Sequence, residues 1–466
     1  MTDELWRRGA VELAGMIARG ETTSRDVVEA HLDRIAQVNG ALNAVVRVLA
    51  DEARSGADLA DAAVAAGGPL GPLHGVPFTI KENIDLAGTP TTQGVRALAE
   101  AIAPVDAPVV ERMKAAGAVP LGRTNLPDFG LRVHTDSDLH GRTINPWHRG
   151  RTAGGSSGGE ASALASGMSP IGLGNDLGGS LRNPAHCCGI ASIKPSSGIV
   201  PAASALPPED DGLALQVMAV QGVMARRVAD VRAGLLAVAG PHWRDPQALP
   251  VALGDHDGTR LTVAVVAEPP GGATHPGISA AIRVAADALS DAGHDVVEAC
   301  PPNYEETIGL WAGLLSADLV IMRDLLNLLM GPGGRTFLDL TEQVLAPPDS
   351  ATLFAAWVSR SAIARAWSAW FQDHHVILSP TWSQPAFEHD ADIASTQGAA
   401  ATLELMRPIL PANLLGLPAA VVSCGLADGL PVGAQVIGPR FADLRCLAVA
   451  EQIESRLGLP TPIDPR

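Results

Sequence analysis

The chain has 466 residues, with 33 basic against 50 acidic side chains and a formal net charge of −17. It is 47% hydrophobic and only 18% charged, which excludes an intrinsically disordered chain. The acidic excess, with no Lys/Arg run to offset it, speaks against nucleic acid and anionic membrane surfaces as partners and for a small neutral or cationic ligand.

The segment from Met1 to Gly20 contains no apolar run of signal-peptide length, and the five cysteines (Cys187, Cys188, Cys300, Cys424, Cys446) are an odd number without metal-ligand spacing. Reduced thiols in a cytoplasmic setting are expected. Between residues 4 and 66, apolar positions recur at helical spacing (Leu13, Ile17, Val27, Val28, His31, Leu32, Ile35), which predicts two or three amphipathic helices. Leu73 to Lys81 is a short apolar, strand-like run that ends in a lysine and is followed by a polar turn at Glu82–Asn83. Residues 107–131 then read as a helix ending at Gly117, a buried strand (AVPLG) and a connection.

Residues 151–200 hold 11 glycines, against 49 in the whole chain, concentrated in GGSSGGE and DLGGSLR. Such density brings backbone close to a partner. After Gly240, LTVAVVAEPP, HPGISAAIRVAADALSDAG and HDVVEAC form a strand–helix–strand unit, and Asp255–His256–Asp257–Gly258 reads as a turn. Residues 304–372 form a mostly helical insertion containing Trp311, Trp357, Trp367 and Trp370. Within it the longest apolar segment, Gly309 to Gly331, carries Asp318, Arg323 and Asp324, so it reads as a buried or amphipathic helix rather than a membrane span. VILSPTW, AAVVSCG and PVGAQVIG are strand-like, and DLRCLAVAEQIESRLG is a closing helix. Without repeats or low-complexity linkers, one α/β unit with a helical cap is favoured over separate domains.

Of the 33 basic residues only Lys81, Lys114 and Lys194 are lysines. A guanidinium stays protonated, whereas a desolvated ammonium loses its proton readily, so a lysine among so many arginines is a candidate base, with codon bias as the plainer account. Lys114 lies on a helix-like stretch of alternating polarity, which suits a solvated face. GGSSGG satisfies G-x-S-x-G through both Ser156 and Ser157, but the segment before it, Asn145 to Ala153, is not the apolar strand that a nucleophile elbow needs. In Gly174–Asn175–Asp176–Leu177–Gly178–Gly179–Ser180–Leu181–Arg182, glycine-framed amides beside a serine can hold an oxyanion, or the segment is a tight turn with a structural Asp–Arg pair.

Together, LHGVPFTIKENIDLAGTPTT, GGSSGGEASALASGMSPIGLGNDLGGSLRNPAHCCGIASIKPSSGIVP and NLLGLPAAVVSCGLADGLPVGAQVIG resemble the lysine motif, serine signature and C-terminal motif of the amidase signature family. Weaker similarity extends toward both ends. The resemblance implies an α/β fold with a mixed central sheet covered by helices on both faces. It divides into an N-terminal helical scaffold (1–66), a catalytic core (67–240), a variable α/β and helical substrate-cap region (241–375) and a C-terminal part of the core (376–466). It also implies Lys81 as base, Ser156 as a bridging serine held by a cis peptide, and Ser180 as acylated nucleophile. Leu177, Gly178, Gly179 and Ser180 would supply oxyanion amides, Ser157, Asp176 and Arg182 supporting hydrogen bonds, and Lys194 a structural role. Ala153 and Val223 depart from the family pattern, where proline is usual, and both alter turn stiffness rather than catalytic groups.

The activity implied is hydrolysis of a carboxamide C–N bond, with carbamates and esters chemically accessible; the four tryptophans of the insertion, if they are not plain helix packing, suit an aryl or apolar acyl group. No cofactor or metal is implied, since His186–Cys187–Cys188 and His374–His375 lack metal-site spacing. The partner is a small-molecule amide or carbamate, and a homodimer is expected from resemblance. The alternatives are the glutaminase subunit of a tRNA-dependent amidotransferase, whose text after KPSSGIVP is not similar, and a non-catalytic binding protein, against which the joint presence of Lys81, Ser156 and Ser180 argues.

Overall fold

The structure, a computed structural model, describes residues 2–206, 211–254 and 258–466; the expected turn residues 255–257 lie outside the described residues. In chain order the strands are β1 (Val45–Val48), β2 (Pro77–Lys81), β3 (Val119–Thr124), β4 (Asp136–Ser137), β5 (Gly141–Arg142), β6 (Ile171–Asp176) and β7 (Ala191–Lys194). They continue with β8 (Val220–Ala225), β9 (Thr262–Val265), β10 (Asp295–Glu298), β11 (Val376–Pro380), β12 (Ala419–Ala427) and β13 (Leu430–Ile437). Apart from the β4–β5 ribbon, they form one 11-stranded sheet in the order β1-β3-β2-β6-β8-β7-β12-β13-β11-β9-β10.

The sheet is mixed. β3, β2 and β6 run parallel to one another, as do β11, β9 and β10, while the strands between these groups pair antiparallel. Alternate residues of each strand face opposite layers. Val223, Ala225, Ala420 and Val422 join a core with the helices Pro108–Ala115, Val228–Val238, Pro276–Asp291 and Asp443–Leu457. Met224 and Val421, between them in sequence, face the other way and pack with the helices Gly158–Ala165 and Arg182–Cys188. Helices therefore cover both faces, as the family resemblance implies.

The strand–helix–strand unit after Gly240 forms as expected, with β9 and β10 parallel on either side of Pro276–Asp291. The insertion consists of helices Tyr304–Leu329, Pro332–Val344 and Ser350–Trp370. The first of these is amphipathic: Trp311 and Leu314 are buried while Ile321 and Leu328 are exposed. No helix among the described residues is long and apolar enough to cross a membrane.

Besides the short β4–β5 ribbon, four strands of the large sheet are not evident from sequence pattern. β1 interrupts a region expected to be wholly helical and adds an antiparallel edge to β3. β6, β7 and β8 lie in or near the glycine-rich stretch, and β6 itself (IGLGND) contains two glycines, which weaken strand propensity. The cause is close packing: a Cβ on Gly174 would stand 2.9 Å from Ser157 Oγ at the start of the helix that crosses β6.

Candidate active site

Parallel strands gather their carboxyl ends at one edge, and ligands of open α/β sheets bind outside those ends. Here β2 ends in Lys81, opposite Thr124 at the end of β3, and β6 ends in Asn175 and Asp176. Lys81 is fully buried, and its Nζ donates to Ser156 Oγ at 2.7 Å and to Asn175 Oδ1 at 2.6 Å. Asn175 Nδ2 in turn donates to Asn83 Oδ1 at 2.9 Å. Burial pushes the Lys81 ammonium down to about 7, against the opposing pull of Asp176 and Glu160.

The loop carrying Ser156 has no strand directly before it, so it is not a nucleophile elbow; it leads straight into the helix Gly158–Ala165. The Gly155–Ser156 peptide is cis. Gly130 lies against Ser156, where a Cβ would stand 3.2 Å from the hydroxyl oxygen. Ser180 joins this group through the main chain, its carbonyl accepting from the Ser157 amide at 3.3 Å. Side-chain hydrogen bonds thus run from Asn83 through Asn175 and Lys81 to Ser156, and Ser180 is held alongside by backbone. Ser157 Oγ itself is buried without a hydrogen-bond partner, so the supporting side-chain bond expected of Ser157 is not formed.

Asp176 organises the turn between β6 and the helix Arg182–Cys188. Its carboxylate accepts from the Gly179 amide at 2.8 Å, the Leu181 amide at 3.1 Å and Asn413 Nδ2 at 2.9 Å, and it pairs with the buried Arg182 at 3.1 Å. Burial opposes the charge on Asp176, but the Arg182 guanidinium together with Lys194 and Asn413 outweighs it and holds the carboxyl well below the usual carboxylate range. Arg182 also donates to the Ile409 carbonyl at 2.9 Å and to Gln435 Oε1 at 3.1 Å, tying the turn to the C-terminal strands. Gly179 differs from expectation: its amide is directed at Asp176 rather than left open. The amides of Leu177, Gly178 and Ser180 donate to no protein acceptor among the described residues.

Two further contacts are not foreshadowed by the sequence. Glu160, fully buried, accepts from Thr79 Oγ1 on β2 and from Thr124 Oγ1 on β3 at 2.8 Å, and burial pushes it up to about 7. Trp311 Nε1 donates to the Leu177 carbonyl at 3.1 Å, and its ring flanks Gly178 together with Met406. Beside them an apolar pocket is lined by Leu131, Val133, Trp311, Leu315, Leu403 and Met406, among others. The sequence offers four tryptophans of the insertion for an apolar group without distinguishing among them, and of these Trp311 lines this pocket.

Elsewhere, Lys194 is buried and donates to the Pro195 carbonyl at 2.8 Å, while Lys114 pairs with Asp106 at 2.6 Å on the surface. His186 bonds Gly433 and Gln384 main-chain groups, and burial pushes the Cys187 and Cys188 thiols up. His134, Asp136 and Asp390 place ligand atoms within 4.8 Å of one another, yet Arg132 and Arg142 already neutralise these carboxylates.

The family model described as Amidase matches residues 26–447. The chain is 40% identical over 460 residues to an indoleacetamide hydrolase of Bradyrhizobium diazoefficiens, covering 98% of this chain and 87% of that protein. It is 35% identical over 507 residues to a glutamyl-tRNA(Gln) amidotransferase component of Salinispora arenicola, covering 99% of each. Among solved structures, 6-aminohexanoate cyclic dimer hydrolase complexed with its substrate matches with a TM-score of 0.87 at 27% identity, covering 99% of each chain.

Proposed function

The chain belongs to the amidase (amidase signature) family and hydrolyses amide C–N bonds, and we propose that it does so through an acyl-enzyme on Ser180, with Lys81 as base and Ser156 as relay. The observation that carries this reading is the 2.7 Å contact between buried Lys81 Nζ and Ser156 Oγ.

Neutral Lys81 takes the Ser156 proton as Ser156 takes that of Ser180, whose oxygen adds to the substrate carbonyl. The open amides of Leu177, Gly178 and Ser180 receive the developing oxyanion, and Asp176, by holding Gly179 and Leu181, keeps them aligned. The proton then returns through Ser156 to the leaving nitrogen as the C–N bond breaks. Water attacks the ester by the same relay in reverse, releasing the acid and restoring Ser180. Every step exchanges a proton between groups of this chain and substrate or water.

The substrate is an aryl or other apolar carboxamide. The pocket beside Leu177 and Gly178 is apolar and contains an indole, which suits a flat hydrophobic acyl group. The named substrate of the indoleacetamide hydrolase relative is of this class. Aryl carbamates and esters present the same carbonyl to Ser180 and are accessible to the same chemistry.

The test is hydrolysis of an arylacetamide, an aliphatic amide, glutamine, an aryl carbamate and an aryl ester by wild type and Ser180→Ala, with fluorophosphonate labelling of both. Turnover of the aryl substrates, lost together with the label in the variant, is expected. Glutamine as the preferred substrate would point to the amidotransferase reading, and activity surviving in Ser180→Ala would overturn the role of Ser180.

A further inference from the structure

We infer that Asn175, held by Asn83, is a positioning residue that fixes the direction in which the Lys81 amine presents its lone pair to Ser156. The inference rests on the proposed role of Lys81 as base. A neutral amine has two N–H bonds and one lone pair, and a buried one free to rotate could offer Ser156 either. Here the choice is narrowed, because one N–H is held by an acceptor. The Asn175 carbonyl oxygen only accepts, and the amide is kept in that orientation because its Nδ2 is committed to Asn83 Oδ1 at 2.9 Å. An N–H of Lys81 is therefore directed at Asn175 Oδ1, 2.6 Å away. With that proton pinned, the lone pair is free to face Ser156 Oγ at 2.7 Å.

The arrangement joins the ends of two parallel strands, since Asn83 lies in the turn after β2 and Asn175 is the penultimate residue of β6. Other charged groups surround Lys81 without occupying this role. Asp176 on β6 and Glu160 on the helix Gly158–Ala165 act on it through their charge. Arg123 on β3 reaches the Lys81 carbonyl at 3.5 Å, and the neighbouring Glu82 is bound by Thr92 and His140. Among the described residues, only Asn175 and Ser156 bond Nζ.

The experiment measures kcat and KM against pH for wild type, Asn175→Asp, Asn175→Leu and Lys81→Ala on one arylacetamide. Asn175→Asp keeps an acceptor for Lys81 but adds a negative charge, so the acid limb moves up by about 1–3 pH units and activity recovers at high pH. Asn175→Leu removes the acceptor, so kcat falls on the order of 100-fold at every pH while KM stays within about twofold. The shift shows that residue 175 faces the Lys81 amine in solution, and the orienting role itself is read from the Asn175→Leu fall in kcat at nearly constant KM. An Asn175→Asp limb superimposed on the wild type, or an Asn175→Leu kcat close to wild type, overturns the inference. If Asn175→Asp does not fold, Asn83→Asp places the charge one hydrogen bond further away, with a smaller shift in the same direction expected; no shift overturns the inference. A Lys81→Ala variant that retains turnover overturns the base reading itself, and the inference with it. An inactive Lys81→Ala beside an unshifted Asn175→Asp overturns the inference alone.

Discussion

Trp311 and Leu177 are joined by a hydrogen bond of 3.1 Å from the indole Nε1 to the main-chain carbonyl, so the first helix of the insertion grips the turn that precedes Ser180. The same indole closes over Gly178, where a Cβ would stand 2.6 Å from Trp311 Cζ2 and 3.1 Å from Met406 Cε. A rigid ring cannot yield without moving the carbonyl it holds. Gly178→Ala is expected to lower kcat/KM on the order of 100-fold by displacing the open amides. Trp311→Phe, which keeps an aromatic ring but loses the pyrrole N–H, is expected to reduce kcat more than it raises KM for an arylacetamide. Steady-state kinetics on the two variants check both, and an unchanged kcat in Gly178→Ala would contradict this picture.

With Lys81 as the proposed base, activity is expected to follow its protonation. Burial pushes its ammonium down to about 7, and only the neutral amine accepts a proton from Ser156. Thus kcat/KM falls about tenfold per pH unit below that value and levels off above it. Lys81→Arg is expected to be inactive throughout, because a guanidinium stays protonated. Glu160 is pushed up to about 7 by the same burial and raises the Lys81 value by its charge. In Glu160→Gln the acid limb is expected to persist and move to lower pH; its disappearance would assign the titration to Glu160 instead.

Asp176 and Arg182 form an ion pair in which both side chains are fully buried. Removing the cation leaves a charge without a counter-ion in the core, which costs about 3–5 kcal/mol. Arg182→Met is expected to lose stability of that size in urea unfolding at neutral pH. The loss should shrink in strong acid, where protonation of Asp176 relieves the unpaired charge in the variant. Equal stability of variant and wild type at neutral pH would show that the pair is replaceable.

Gly130 has φ +67°, and a Cβ on it would stand 3.2 Å from Ser156 Oγ. Left-handed backbone costs an L side chain about 1–2 kcal/mol, and the added methyl also presses on the relay hydroxyl. Gly130→Ala is expected to lower both the unfolding free energy by that amount and the kcat. A kcat equal to wild type would mean that the Ser156 hydroxyl has room to adjust.

Chemistry confined to short stretches of chain is legible in the sequence. A lysine ending an apolar strand, a serine inside GGSSGG and a serine inside DLGGSLR are local patterns, and their joint resemblance to the amidase signature family carries both the fold class and amide hydrolysis. Strands β2, β3 and β9 to β13 and most helices follow from hydrophobic periodicity for the same reason. What only the tertiary structure decided depends on atoms far apart in the chain. The glycines of β6 hide a strand from propensity, yet they are there because the Ser157 helix crosses at contact distance. Asn175 meets Lys81 because β2 and β6 are parallel neighbours, although 94 residues separate the two. Gly179 turns its amide to Asp176, and Trp311 reaches Leu177 across 134 residues, through side-chain geometry that no residue spacing encodes. Periodicity reports which face of an element is buried, whereas hydrogen-bond partners are set by how the packed elements bring polar groups together where water is excluded.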